Sequence, residues 1–478
     1  MKATFGIKGN RCLRPASIFG YNGAMLNKTL GRHAVLLSSS AVFAYFFLYY
    51  TSYFGVGLAP DSLSYLSMAF HLEAGRGMSV FIASQHVRSE AVTGFSPLYP
   101  FLLTGLLKIG LSAAAACWIL NNLILFINLY LMQALTFKVT GSYWLALMAA
   151  ALCAANLIFT GCHTWVLAEG LLILLVNLSL LLFLKALETG NRRALLSAAV
   201  LLGLSTLAKY IGFAYAFAWG LCLLIYWKGS FGRRLAHAFG FGAVAIAPMC
   251  LWLVRNYLVD HTPGRSLAVK VLGSLYQHDA SGRIPFWRTT LDSLEATGQW
   301  VSGFVSTGFP GPDVYPIIAA VVLFLMLKGA GASRNLTPQP DSSSQKQISC
   351  LDILWISCVV YYAILLLSLS TSSFSVKIPG RYLITCFMHL TIITLALIQR
   401  GFTRLELPRR QTPIVGCWVL ILTLCLAGLL SGFAVNLGRL ARQYATKGVD
   451  RSYGESWSYT YLTQWFPHER KLRINPQW

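Results

Sequence analysis

Long apolar stretches alternate with short polar ones along most of the chain, and this pattern predicts helices that cross a membrane. A helix needs about 20 mostly apolar residues to span the hydrocarbon core of a bilayer. Backbone polar groups in lipid must also be satisfied within the spanning segment, which favours helices over open sheets. We therefore predict an all-α polytopic integral membrane protein. By the length criterion, about eleven spans lie near residues 34–57, 116–137, 143–162, 165–186, 194–208, 211–228, 236–254, 314–331, 352–373, 382–399 and 413–435.

The basic residues predict how these spans are oriented. Residues 1–33 contain Lys and Arg but no Asp or Glu, which is typical of a cytoplasmic segment. From that start, an odd number of spans places the chain's two ends on opposite sides. The predicted divisions are a basic cytoplasmic tail (1–33), a transmembrane domain (34–435) with a first outer loop (58–112), a large outer loop (257–313) and a cytoplasmic linker (332–351), and an extracytoplasmic tail (436–478).

Charge and cysteine content restrict the classes of function. The net charge is +22, from 38 Lys and Arg against 16 Asp and Glu, but the basic residues lie mostly between apolar stretches. Topology and anionic lipids account for such charges, so we expect membrane lipids as partners and no nucleic acid. The 11 Cys form no CxxC pair and fall mostly within apolar stretches. No cofactor is predicted, and the sequence leaves dependence on a divalent metal open.

The segment "GLAPDSLSYLSMAF" contains Asp61, the first acidic residue of the chain. Pro60 is expected to end the preceding helix, and Asp61 to begin an amphipathic helix on the outer membrane surface. Asp is also a favoured N-cap, so a structural role for Asp61 is the alternative to a catalytic one. The apolar residues expected on one face of this helix are Leu63, Leu66, Phe70 and Leu72.

Three cations stand at predicted outer helix ends, each followed by aromatic or amide groups. Lys209, Arg255 and Arg381 occur in "LAKYIGF", "WLVRNYL" and "IPGRYLI". Snorkelling is one interpretation, but cations are less favoured outside, and together they would suit a phosphate. Their neighbours and the residues of the first outer loop give further binding candidates, namely Glu90, Tyr99, Tyr210, Asn256, Tyr257 and Tyr382.

Two polar residues lie near the predicted turn between the third and fourth spans. Glu169 lies one turn into the membrane, where an ionisable group is by default a functional candidate. We rank it below Asp61. A single His163 at such a place more often packs or is solvated than binds a ligand.

Taken in order, these segments resemble the GT-C membrane glycosyltransferases. Asp61, "SPLYP", "GLSTLAKYIGFA", "LWLVRNY" and "PGRYL" resemble, across residues 34–399, the family 39-like branch related to protein O-mannosyltransferases and lipid A aminoarabinose transferases. The resemblance implies a GT-C-like helical bundle that transfers one sugar from a polyprenyl-phosphate donor to a lipid, glycan or protein acceptor, with inversion. It further implies a site on the extracytoplasmic face of the bacterial inner membrane. Asp61 matches the family's acidic residue near the sugar, whereas Ser62 replaces the second acid of related branches.

The physical roles agree with this resemblance. Cations can stabilise the leaving phosphate, and an acid on the opposite face of the sugar can accept the proton of the attacking hydroxyl. Asp61 is our candidate base, with Lys209, Arg255 and Arg381 at the phosphate. A transporter or flippase of lipid-linked glycans, or a glycan polymerase or ligase, is the alternative. Transporters place polar groups near the midplane, whereas here they gather at one face.

Overall fold

The computed structural model describes residues 31, 33–45, 47–48, 56–81, 89–260, 350–371, 380–404 and 472–474. Helices make up most of this part of the chain, which confirms the all-α fold class. The predicted spans at 314–331 and 413–435 lie outside the described residues. So do most of the large outer loop and of the cytoplasmic linker.

Twelve helices and four short strands are named here in chain order. The helices are α1 (His33–Tyr45), α2 (Pro60–Glu73), α3 (Leu98–Lys108), α4 (Ala113–Thr140), α5 (Tyr143–Ala155), α6 (Leu157–Thr164), α7 (Glu169–Thr189), α8 (Arg192–Ala208), α9 (Phe213–Tyr226), α10 (Phe231–Asp260), α11 (Cys350–Thr371) and α12 (Ile384–Arg404). The strands are β1 (Val56–Leu58), β2 (Ser79–Phe81), β3 (Ser89–Ala91) and β4 (Leu472–Ile474). Short 3-10 turns precede α9 (Tyr210–Gly212) and α12 (Gly380–Leu383).

Five described helical segments are long and apolar enough to cross a membrane, and they coincide with predicted spans. They belong to α4, α7, α10, α11 and α12. The predicted span at 143–162 is broken instead: α5 and α6 are bent by 70° about Asn156. The Asn156 side chain accepts hydrogen bonds from the Ile158 and Phe159 amides at 2.9 and 3.2 Å. It therefore caps a new helix within the span.

The end of the first predicted span needs correction. Residues 34–57 do not form one continuous helix, because β1 begins at Val56. Its backbone pairs in parallel with β4, with Val56 opposite Leu472 and Leu58 opposite Ile474. A segment near the end of the chain thus contacts the start of the first loop.

Helix α7 lies at the centre of the bundle. It packs against α4 and α8, and 72% of its spanning segment is buried, compared with 11% for α10. Within the core, the rings of Phe183 and Trp219 stack with centroids 5.1 Å apart. The outward face of α10 is therefore available to lipid, whereas α7 is enclosed by protein.

Charged residues mark both ends of α7, which are about 30 Å apart for 21 residues. Glu169 begins the helix. At the other end, Glu188 forms an ion pair with Lys138 of α4 at 2.8 Å. The turns at that second end carry further cations, namely Arg192, Arg193, Lys228, Arg233 and Arg234.

The start of α2 also differs from expectation. Pro60 opens α2, Ala59 is its N-cap, and the Ser62 hydroxyl accepts the Ala59 amide at 2.8 Å. Asp61 therefore lies in the first turn and is not the cap. The helix packs against α3, and Leu66, Met68 and Ala69 are all buried. Protein thus encloses α2 more completely than a helix lying on a membrane surface.

A close backbone contact joins the strand before α2 to the segment before α7. Gly57 forms a bridge with Trp165, and its carbonyl accepts the Val166 amide at 3.0 Å. A Cβ on Gly57 would lie 2.4 Å from the Trp165 indole. Only glycine fits this close approach. The contact aligns two segments that lead to acidic residues, since Asp61 lies four positions after Gly57 and Glu169 four positions after Trp165.

We predict that Gly57→Ala destabilises the protein by about 1–3 kcal/mol, the usual cost of overpacking. Unfolding of the detergent-solubilised protein, followed by tryptophan fluorescence, measures the effect. Gly105→Ala, where a Cβ meets nothing within 4 Å, is the control. In a Trp165→Leu background the Gly57→Ala cost should shrink, and an equal cost in both backgrounds would refute the steric account.

Candidate functional site

Two carboxylates and two cations meet at the α2 end of α7. Arg381 Nη2 lies 2.9 Å from Asp61 Oδ2, and Arg381 Nε lies 3.6 Å from Glu169 Oε1. Lys209 Nζ forms an ion pair with the same Glu169 oxygen. We call Asp61, Glu169, Lys209 and Arg381 the charge cluster. Its formal charge is zero, because each anion is matched by a cation.

Glu169 is the most deeply buried member of the cluster. Its side chain is 1% exposed, compared with 27% for Asp61. A buried carboxylate is tolerated only when cations or donors compensate it. Both cations contact Oε1, whereas Oε2 is buried without a hydrogen-bond partner among the described residues. That oxygen remains available to accept a hydrogen bond from a bound molecule.

The start of α7 is fixed by a buried amide on α4. Asn128 Nδ2 donates to the Gly170 carbonyl at 2.9 Å and lies 2.8 Å from His163 Nε2. His163 Nδ1 lies 2.7 Å from the Phe159 carbonyl, so the ring donates there and accepts from Asn128. His163 is 3% exposed, which agrees with a packing role. These bonds tie α6 to α7 directly beside Glu169.

The two cations of the cluster, Lys209 and Arg381, both lie at breaks between helices. Lys209 adopts an extended conformation with φ −155° where α8 ends, and the 3-10 turn that follows redirects the chain into α9. Arg381 lies in the 3-10 turn before α12, and the Tyr361 hydroxyl of α11 donates to the Tyr382 carbonyl in that turn. The Tyr382 ring lies close to both cations, 4.9 Å from Lys209 Nζ and 5.4 Å from Arg381 Cζ. Attraction to this ring stabilises both cations at the site.

Tyr65 is a residue of the site that sequence reasoning missed. It is 3% exposed, and its ring packs edge-on against Tyr99 with centroids 5.5 Å apart. Burial, followed by the nearby charges of Glu169 and Asp61, raises the pKa of the Tyr65 phenol well above its usual value. Tyr65 thus stays a neutral donor. Its position four residues after Asp61, on the same helix face, was the available signal.

Arg255 belongs to a separate group of side chains. Its guanidinium donates to the Val92 carbonyl at 2.7 Å and to Asn256 Oδ1 at 3.0 Å. Asn256 in turn donates to the Thr93 carbonyl at 3.0 Å. Nothing in the described part of the chain joins Arg255 directly to the charge cluster. These two residues hold the segment before α3 against α10.

Tyr210 links this group to the cluster. Its hydroxyl donates to the Phe95 carbonyl at 3.1 Å and accepts from Trp252 Nε1 at 3.0 Å. The Trp252 ring also lies 4.8 Å from the Arg255 guanidinium. Since Tyr210 follows Lys209 directly, the segment at 92–95 is held next to the charge cluster.

The remaining sequence candidates are not brought into the cluster. Tyr99 is 0% exposed, and its hydroxyl donates to Asn121 Oδ1 at 2.8 Å, beneath the site rather than in it. Asn121 in turn donates to the Trp165 carbonyl at 2.6 Å. Tyr257 is 60% exposed near the end of α10, and Glu90 lies opposite Val80 in the β2–β3 pair.

No group of three or more His, Cys, Asp and Glu side chains in the described ranges could hold a metal ion. Both carboxylates of the charge cluster instead contact Arg381. The arrangement offers two cations that can bind an anion in exchange for a carboxylate, and two carboxylates that can accept protons.

No protein-family description matches this chain, and no curated protein does. Solved structures are similar at low identity. ArnT from Cupriavidus metallidurans bound to undecaprenyl phosphate shares 12% identity and a TM-score of 0.48, over 83% of this chain and 64% of that one. The archaeal oligosaccharyltransferase AglB from Archaeoglobus fulgidus, in complex with an inhibitory peptide and a dolichol-phosphate, shares 13% identity and a TM-score of 0.49. This match covers 85% of this chain and 56% of that one. This chain thus spans less than two thirds of the length of either protein.

We predict that Glu169→Gln destabilises the protein far more than Asp61→Asn. Removing one partner of a buried ion pair costs about 3–5 kcal/mol, whereas partly exposed pairs contribute about 1 kcal/mol or less. Chemical denaturation in detergent measures both. Glu169→Gln/Lys209→Met should recover part of the loss, because it removes the cation left unpaired. A double variant with fully additive losses would contradict this electrostatic account.

Proposed function

We propose that the protein is a membrane glycosyltransferase that takes a single sugar from a polyprenyl-phosphate donor. The observation that carries the proposal is the charge cluster itself, in which two cations and two carboxylates share one partly buried site beside tyrosine side chains. Transfer from a phosphate needs cations at the leaving group and a base at the acceptor hydroxyl. The segments that resemble GT-C enzymes supply Asp61, Lys209 and Arg381 to this one site, which supports the same assignment.

In this proposal the donor phosphate enters the cluster between Lys209 and Arg381. The free cluster is neutral, so an incoming phosphate competes with the carboxylates for these cations. Asp61 is the partner it displaces, because Asp61 is partly exposed and its one ion pair among the described residues is with Arg381, whereas Glu169 is buried and contacts both cations. Donor binding would then release the Asp61 carboxylate from its arginine and leave its oxygens free to accept a proton.

The released Asp61 accepts the proton of the acceptor hydroxyl as that oxygen attacks the anomeric carbon. The bond from this carbon to the phosphate oxygen breaks, and its electron pair remains on the phosphate, where Lys209 and Arg381 stabilise it. Attack from the opposite face inverts the anomeric carbon. In this proposal Glu169 Oε2 and the Tyr65 phenol, both buried, hydrogen-bond the sugar hydroxyls.

Transport of a lipid-linked glycan is the second candidate, and the bent pair α5–α6 is the observation that favours it. Interrupted helices near the midplane are typical of transporters. The charge cluster nevertheless lies at one end of α7 and not near its middle, which favours chemistry at an interface. Transfer of label to a membrane acceptor, rather than movement of an intact donor, separates the two candidates.

We predict that Asp61→Asn lowers transfer by 10²–10⁴-fold, the usual contribution of a general base. Membranes containing the protein, supplied with a panel of radiolabelled polyprenyl-phosphate monosaccharides, provide the assay. The control is Glu73→Gln, an exposed carboxylate at the end of the same helix. It should leave transfer unchanged. Because Asp61 is not the N-cap of α2, the Asn variant removes no cap. A loss of transfer with normal amounts of protein in the membrane would therefore point to the lost proton acceptor.

Full transfer by Asp61→Asn would refute the assignment of the base and direct attention to Glu169. No transfer from any donor by the wild-type protein, together with movement of intact donor across proteoliposomes, would refute the enzyme and favour the transporter.

A further inference from the structure

We propose that the bundle end opposite the charge cluster contains a binding site for the phosphate headgroup of an anionic membrane lipid. A cavity of about 200 Å³ lies between the α7–α8 turn and the α9–α10 turn. At about 30 Å³ per water molecule, it can hold a phosphodiester with bound waters. The residues that line it are Leu187, Gly190, Arg192, Trp227, Lys228, Arg233 and His237.

Three cations converge on this cavity without an anionic partner. Arg192, Lys228 and Arg233 form no ion pair with any other residue in the described part of the chain. The nearby carboxylate of Glu188 is already bound by Lys138. Three uncompensated cations around one cavity repel each other, and a phosphate between them would remove that cost.

The cavity has one rigid wall. The Trp227 and His237 rings stack with centroids 4.6 Å apart, and His237 Nδ1 donates to the Arg233 carbonyl at 2.7 Å. Trp227 is 7% exposed, so it fixes the wall from the protein side. The neighbouring Arg234 instead donates to the Gly229 carbonyl of the α9–α10 turn at 3.1 Å. The structure therefore separates cations that hold the turn from cations that face the cavity.

The surroundings favour a lipid headgroup over a free anion. Phe231 and Phe239 on α10 are 69% and 71% exposed, and Leu196 on α8, one turn after Arg192, is 56% exposed. These apolar side chains lie on α8 and α10, the two helices that carry Arg192 and Arg233. Acyl chains could lie against them while the phosphate occupies the cavity. Basic pockets between helices at the cytoplasmic side, where the sequence places these turns, commonly bind anionic headgroups.

Native mass spectrometry of the detergent-solubilised protein tests this proposal. The protein is titrated with phosphatidylglycerol, with phosphatidylcholine of matched acyl chains, and with inorganic phosphate. We expect phosphatidylglycerol adducts at concentrations at least tenfold lower than phosphatidylcholine, and no competition by millimolar phosphate. Lys228→Gln and Arg233→Gln should each weaken phosphatidylglycerol binding about fivefold or more. Arg233→Lys, which keeps the charge, should retain most of it.

Arg193→Gln is the matched control, because Arg193 is adjacent to Arg192 and exposed but does not line the cavity. Its affinity should equal that of the wild type. If Arg193→Gln weakened phosphatidylglycerol binding as much as Lys228→Gln and Arg233→Gln do, general surface charge would explain the loss of affinity, and the proposed site would be refuted. Displacement of phosphatidylglycerol by inorganic phosphate would also overturn it, in favour of a free-anion site. So would equal adducts with the two lipids.

Discussion

The structure around the candidate site depends on one electrostatic constraint, the compensation of the buried Glu169 carboxylate. A carboxylate that is 1% exposed among apolar helices has no water to stabilise it and must have cations beside it. Lys209 comes from the break after α8 and Arg381 from the turn before α12. Neutralising this single charge therefore brings together segments 40 and 212 positions apart. Asp61 joins them through the second contact of Arg381.

This arrangement links stability to function. A neutral cluster is acceptable in a protein interior, but it also means that neither cation is free before a ligand binds. An anionic donor can bind only by replacing an existing contact, and of the two carboxylates Asp61 is the one that solvent reaches, 27% exposed against 1% for Glu169. In the proposed mechanism Arg381 holds Asp61 in the free protein, and the arrival of the phosphate makes Asp61 available as the base.

The sequence predicted individual helices and single charged residues better than the contacts between them. Apolar length identified α4, α7, α10, α11 and α12, because a long continuous apolar stretch is visible in the sequence, whereas the break between α5 and α6 was not predicted. Asp61, Lys209 and Arg381 were singled out by their positions at helix ends, and the structure brings their side chains together, while their roles stay a prediction. The central place of Glu169 was underestimated, since its partners are distant in sequence. Similarly, Arg255 looked equivalent to Arg381, but tertiary packing directs it to the Val92 carbonyl.

The central claim is that Lys209 and Arg381 bind the phosphate of a polyprenyl donor, and direct binding of polyprenyl phosphate tests it. Fluorescence titration of the purified protein should give an affinity that falls at least tenfold in Arg381→Lys and Lys209→Met, since charge-assisted bonds are lost or misplaced. Arg255→Ala, which alters only the separate group, should bind nearly as well as the wild type. Unchanged affinity in the two cluster variants, or a loss confined to Arg255→Ala, would contradict the account.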